Sequence, residues 1–281
     1  MAAADSALGS GDIERADSLY FLGVRMHPRD PAAREALGRY LGMRGASRVA
    51  VVLLEEARLF GADPARIAAR LAPLYESLGD WRALLTLPSS PLSSSERKRA
   101  AWFSDHPFAS RTDSVGTALV GPPQGDTIGR VAVHIGRRTA MAVLLARDVG
   151  ITAGARIAAG VGRAFAGGDS TIFALDSAII GSARLVNVPA RLGGSSGAVS
   201  VGMSVLGALT PTFDFSKNRV KFNRPASIAA SLRLPLIRDR GVLRVLDRGR
   251  WVSLADYAAI VAKAGQSLTI DFRGGEIRVQ P

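Results

Sequence analysis

The chain of 281 residues contains no cysteine. That excludes disulfides, thiolate nucleophiles and cysteine-ligated zinc, and leaves the redox compartment open. Histidine is nearly as scarce. His27, His106 and His134 show no metal-ligand spacing, so no metal and no cofactor are expected. No apolar run reaches the roughly 18 residues needed to cross a bilayer, so no membrane partner is expected. The opening stretch MAAADSALGSGDIERAD lacks a basic segment followed by an apolar one and does not read as a signal peptide. A cytoplasmic chain and an exported chain after processing both fit. Aromatic residues make up 6%, too few for an evident base-stacking platform.

What is abundant is arginine. The net charge is +12, carried mostly by arginine, but the basic residues are scattered and form only short clusters such as Glu96–Arg99, ERKR. This pattern does not point to nucleic acid. With 47% hydrophobic and 21% charged residues, most of the chain should fold, and its length suits more than one module.

The first 95 residues read as helical. Gly11, Gly45 and Gly79 are 34 residues apart, within GDIERA, GASRVA and GDWRAL, and Ala16, Ala50 and Leu84 follow each glycine at the same distance. Asp30-Pro31 and Asp63-Pro64 start helices at nearly the same period, with proline in the first turn, where its missing N–H costs nothing. A helix–turn–helix period of this length resembles tetratricopeptide repeats. The resemblance implies an array that binds peptides on its concave side. The array starts part-way through a repeat, from which further N-terminal sequence is expected. PSSPLSSSERKR, Pro88 to Arg99, is dense in proline and serine and reads as a break, so residues 96–116 are expected to be a linker, with a short helix in AWFSDHPFASRTD.

From residue 117 to 222 the texture is short strands and glycine-rich turns. In GRVAVHIGRRTAMAVLLA, Val131, Val133 and Ile135 alternate before a turn at Gly136 to Arg138. His134 is out of phase with them and is expected at the surface; Met141 and Met203 are expected in the core. STIFALDSAIIGSARLVNVPARL holds two strands around Gly181, and VLGALTPTFDFSKNRVKF ends in a pair with a turn at Lys217-Asn218. Regular short strands predict a small barrel. Residues 223–281 add strands, a helix capped by Ser253 and stopped by Gly265, and a last hairpin.

The order of segments from Val131 to Phe222 resembles the retropepsin-like aspartic proteases, especially their bacterial members. It runs hairpin, apolar strand ending in Leu144-Leu145, acidic loop, glycine-rich segment, hairpin around Ile180-Gly181, Asn187-Val188-Pro189, and Gly202-Met203-Ser204-Val205-Leu206-Gly207 leading into Thr212-Phe213-Asp214-Phe215. In that family an apolar strand carries Asp-Thr-Gly-Ala-Ser, and a later apolar-apolar-Gly motif packs beneath it. Val205, Leu206 and Gly207 match the second motif. The resemblance implies a closed β-barrel and a dyad of two carboxylates sharing one proton, because like charges a few ångströms apart cannot both ionise. A chain with one motif completes the dyad by homodimerisation. The whole is therefore expected to be an α+β multidomain protein: helical repeats, a retropepsin-like closed barrel, and a small α/β tail.

LLARDVGIT admits two registers. In the first, Ala146-Arg147-Asp148 replace Asp-Thr-Gly. The hairpin then keeps its length, and AAGVG, Ala158 to Gly162, falls where the family has a short helix and glycine. In the second, Asp148-Val149-Gly150 overlay the triplet, with Arg147 before the carboxylate. A methyl group at Ala146 cannot accept a proton, so the first register is dead. In the second, Arg147 lowers the pKa of Asp148, disfavouring the shared proton, and Val149 removes a hydroxyl. A third reading makes Arg147-Asp148 an exposed turn pair. GVGRAFAGG, Gly160 to Gly168, lacks the lysine of a phosphate loop and lies where a flap over a substrate groove would start, with Gly162, Gly167 and Gly168 as its candidate residues. Ser195 in GGSSG has no histidine after it and reads as a loop residue. The expected function is a protease homologue, inactive or impaired, that binds peptide or protein segments. The alternatives are an active aspartic endopeptidase using Asp148 and a structural or assembly protein.

Overall fold

Capping aspartates and 3.6-residue apolar spacing dictate a helical N-terminal third. In this computed structural model, which describes residues 2–88, 92–112, 116–145, 150–165, 172–195, 197–222, 232–239, 242–271 and 275–280, it contains α1 (Ala2–Gly9), α2 (Ile13–Met26), α3 (Pro31–Met43), α4 (Ser47–Leu59), α5 (Pro64–Leu78), α6 (Trp81–Thr86) and α7 (Ser94–Asp105). The side chains of Asp12, Asp30, Asp63 and Asp80 accept a backbone N–H in the first turns of α2, α3, α5 and α6. Each helix packs on the next in sequence. Gly11, Gly45 and Gly79 sit at φ of 82°, 84° and 71°. At each, the next residue donates back across the helix end: Asp12 to Ala7, Ala46 to Leu41, Asp80 to Tyr75. Only glycine takes this left-handed cap without steric cost. Ala16, Ala50 and Leu84, the residues after each junction, are all buried.

The stretch 96–116, read as a linker, holds most of α7. The serines that marked a break instead supply a capping box: Ser93 caps the N–H of Glu96, and the Glu96 side chain accepts from Ser93 N. Phe103 and Trp81 then stack at 4.8 Å, fastening α7 to α6.

The rest is β-rich: β1 (Ala109–Arg111), β2 (Thr117–Ala118), β3 (Thr127–Ile135), β4 (Arg138–Leu145), β5 (Ile151–Ala153), α8 (Ala155–Ala158), β6 (Gly162–Ala164), β7 (Ile172–Ile180), β8 (Ala183–Leu192), β9 (Val199–Gly202), α9 (Met203–Leu206), β10 (Pro211–Asp214), β11 (Arg219–Phe222), β12 (Leu232–Asp239), β13 (Val242–Asp247), β14 (Arg250–Ser253), α10 (Leu254–Lys263), β15 (Ser267–Asp271) and β16 (Glu276–Gln280). Six strands in the order β8-β5-β9-β4-β3-β7 close into a mixed barrel, because β7 pairs again with β8; β1 and β6 are added at the margins. A second, open sheet runs β14-β13-β12-β16-β15-β10-β11-β2.

The alternation expected in β3 is present: Val131, Val133 and Ile135 point inward, and His134 is exposed with Nδ1 at 2.9 Å from Thr139 Oγ1. Met141, expected in the core, is instead 47% exposed. In β4 it is Ala142 and Leu144 that face inward, and the period of two leaves Met141 outside. The side chain of Met203 lies outside what is described. β7 breaks the alternation at Ile172 to Leu175, where all four residues are buried. Phe173 and Leu175 belong to the barrel core, whereas Ile172 and Ala174 join the core of the helices. Both faces of this strand are covered because α7 lies against it.

Barrel and second sheet share one apolar core. It runs from Val131 and Leu175 through Phe213 and Phe222 to Ile270, Ile277 and the α10 residues Tyr257 and Val261. The β10–β11 hairpin pairs with β15, tying the last strands to the segment that follows the barrel. The helices meet this second sheet at their start: Trp251 Nε1 donates to Leu8 O at 3.0 Å, and the turn at Gly249 abuts Gly11.

Candidate functional site

β4 ends at Leu145 and β5 begins at Ile151. Between them lies β9, parallel to β4 and antiparallel to β5. Val201 is paired with Leu144 on one side and Ile151 on the other, and all three are buried. Gly202 stands opposite Leu145, and its N–H donates to Gly150 O at 3.3 Å. The two ends of the candidate loop are thus held on either side of one glycine. Gly150 itself is hemmed in: a β-carbon there would lie 3.1 Å from Pro189 O. The residues joining Leu145 to Gly150 are Ala146, Arg147, Asp148 and Val149, and they lie outside the described residues.

Val205 and Leu206 are buried in α9, and Gly207 opens the short 3-10 turn Gly207–Leu209. They follow the central strand and are not part of it. The residues that flank the loop ends are Val201 and Gly202. In the sequence Gly202 marks only the start of the Gly202–Gly207 segment and Val201 is passed over, because Ser200 interrupts the apolar pair before the glycine. The usable signal was the alternation of Val199 and Val201 before Gly202, which marks a strand buried on one face.

Of the flap candidates, Gly162 begins β6, and Gly167 and Gly168 lie outside the described residues. β6 pairs with the start of β7. A β-carbon on Gly162 would lie 2.2 Å from Ala174 O, so this pairing requires glycine. Beyond it, Phe165 is 5% exposed and turned away from the barrel, its ring 5.9 Å from that of Trp102. This residue, which the sequence did not single out, latches the hairpin onto α7. A second link runs from Arg191 of β8 to Glu96 at 3.8 Å. Burial alone would raise the pKa of Glu96, but hydrogen bonds from Ser93 and the charges of Arg99 and Arg191 outweigh it and hold the carboxyl below its ordinary value.

Among the described residues, no group of three or more His, Asp or Glu could hold a metal ion. None of the described helices is long and apolar enough to cross a membrane. Compared with known protein families the chain matches none, and compared with curated proteins it matches none either. Fold and site together define an α+β protein built around a closed six-stranded mixed barrel with a strand threaded between the two ends of one loop.

Proposed function

We propose that the barrel is a retropepsin-like domain with a catalytically impaired loop, and that it binds peptide or protein segments. The observation that carries this reading is the place of β9 between β4 and β5. The family's two signature segments lie together, one beneath the other, and here Val201-Gly202, rather than the Val205-Leu206-Gly207 matched from sequence, lies between the strands on either side of Ala146 to Val149. We favour the first register, in which Ala146 follows Leu144-Leu145 where the family has its aspartate, because it keeps the length of the hairpin after Ile135-Gly136 close to the family's. A methyl group there can neither activate water nor share a proton. The family's single motif per chain leads us to propose a homodimer through this domain. The helices fit the tetratricopeptide-like reading through their matched caps at Gly11, Gly45 and Gly79.

Incubation of the purified protein with denatured substrates between about pH 3 and 7 tests the reading, since aspartic dyads work in this acid range. No cleavage is expected. The triple variant Ala146→Asp, Arg147→Thr, Asp148→Gly is expected to gain cleavage, because it rewrites the first register as Asp-Thr-Gly. Cleavage by the parent that Asp148→Ala abolishes would overturn the first register in favour of an endopeptidase using Asp148. Absence of both cleavage and peptide capture, with the triple variant folded and inert, would favour an assembly role.

A further inference from the structure

A cavity of about 890 Å³ separates the helices from the β part. Its walls come from α3, α4 and α5, from β12 and β13, and from Gly207 and Ala208 after the central barrel strand. Five arginines line it, Arg39, Arg44, Arg48, Arg70 and Arg238, and no aspartate or glutamate among the described residues does. Arg39 is paired with Asp5 and Arg70 with Glu35, both outside the cavity. Glu35 also holds Arg66, so that cluster keeps one positive charge in excess. Arg44 donates to Tyr40 Oη at 3.0 Å, but its Nε is buried with no hydrogen-bond partner. Arg48 is exposed and has no carboxylate beside it among the described residues. The first turn of α4 opens into the same space without a side-chain cap, since Ala46 stands where α2 and α6 have Asp12 and Asp80. The positive end of that helix adds to the arginine field.

We propose that this cavity is a second binding site, for acidic peptide segments, independent of how the barrel is read. A concave space of this size with aliphatic walls and a few convergent charges is the usual form of a ligand site. The charge selects a carboxylate-rich ligand, since guanidinium groups pair with carboxylates through two parallel N–H donors. The walls select a peptide over a nucleotide. Val49, Leu74 and Leu78 offer accessible aliphatic surface to such side chains, whereas no Phe, Tyr or Trp among the described lining residues offers a face on which a base could stack. The cavity also touches all three parts of the molecule, so an occupant contacts helices, second sheet and barrel together.

Fluorescence anisotropy with the full chain tests this, using a labelled peptide alternating Glu and Leu, and its Gln counterpart. The acidic peptide is expected to bind at physiological ionic strength and to weaken as salt rises. Arg48→Glu is expected to weaken it by about tenfold or more, with Arg238→Gln acting in the same direction. Arg82→Glu, which removes the same charge from an exposed site outside the cavity, is expected to leave binding unchanged. Thermal unfolding of each variant separates lost binding from lost fold. Equal binding of the Gln peptide, equal losses in Arg48→Glu and Arg82→Glu, or no saturable binding would overturn the proposal. A single-stranded oligonucleotide that bound as tightly and lost as much in Arg48→Glu would overturn the choice of peptide.

Discussion

The carbonyl oxygen of Arg44 lies 2.0 Å from the place a β-carbon on Gly275 would take. Gly275 sits at φ 61° in the turn between β15 and β16, and its own carbonyl accepts from Leu236 N at 2.7 Å. The end of α3 and the second sheet therefore meet backbone to backbone, which a glycine alone permits.

Gly275→Ala is expected to separate this contact. A non-glycine residue at such a φ costs about 1–3 kcal/mol before the clash is counted. Chemical unfolding should show a loss at the upper end of that range or beyond it. A wild-type midpoint would mean that the two surfaces move apart without cost.

Phe165→Ala should release the β6–β7 hairpin from α7. Truncating a fully buried phenylalanine costs about 3–5 kcal/mol, and Phe165 is 5% exposed. Because its ring lies 5.9 Å from Trp102, the tryptophan emission should shift to the red in the folded variant. Unchanged emission would argue that the hairpin stays latched by Ile172 alone.

Trp251→Phe removes one donor between the second sheet and the first helix. The expected loss is small, about 0.5–1 kcal/mol. Leu8 O keeps a second donor, Gly11 N at 3.1 Å, and is not left bare. A loss several times larger would show that the indole anchors the helices by packing and not through its N–H.

Alkaline pH should unfold the helices in a definite window. Burial, and then the hydrogen bond to Asp17, push the Tyr40 phenol up from 10.0 to about 12. Burial, and then the Glu55 carboxylate, push Tyr75 up to about 12 as well. Each phenol keeps its proton in the folded protein at a pH where the unfolded chain has lost it. The stability they contribute is complete below pH 10.0 and is lost as the pH rises towards about 12. At the acid end, burial raises the pKa of Asp5 and Asp214, but hydrogen bonds from Tyr20 and Arg39 to the first, and from Ser216 and Lys217 to the second, outweigh it. Their contribution is present above the ordinary value of 3.8 and falls away below it. Phenolate absorbance followed beside circular dichroism checks the alkaline half. Titration of all tyrosines near 10.0 with the helices intact would contradict it.

The local devices were legible in the residues themselves. Asp30-Pro31, Asp63-Pro64 and the three spaced glycines announce helix starts and stops because a cap acts within a few residues of itself. The β3–β4 hairpin and its inward valines were legible for the same reason: side-chain alternation and a glycine turn are short-range facts. The candidate site was legible only as a stretch of chain, Leu144 to Gly150, with its register left open.

Tertiary structure decided the rest. Which strand lies beside Leu144 and Ile151 depends on backbone hydrogen bonds that every strand offers alike, and Val201-Gly202 takes the place through a core shared with distant segments. Phe165 and Ile172 look like barrel residues until α7 covers their side of the sheet. The arginines of the cavity are scattered in sequence and gather only when α3, α4, α5 and β12 pack around one space. Local signals set each element, but burial against a partner far along the chain chose the face each one turns inward.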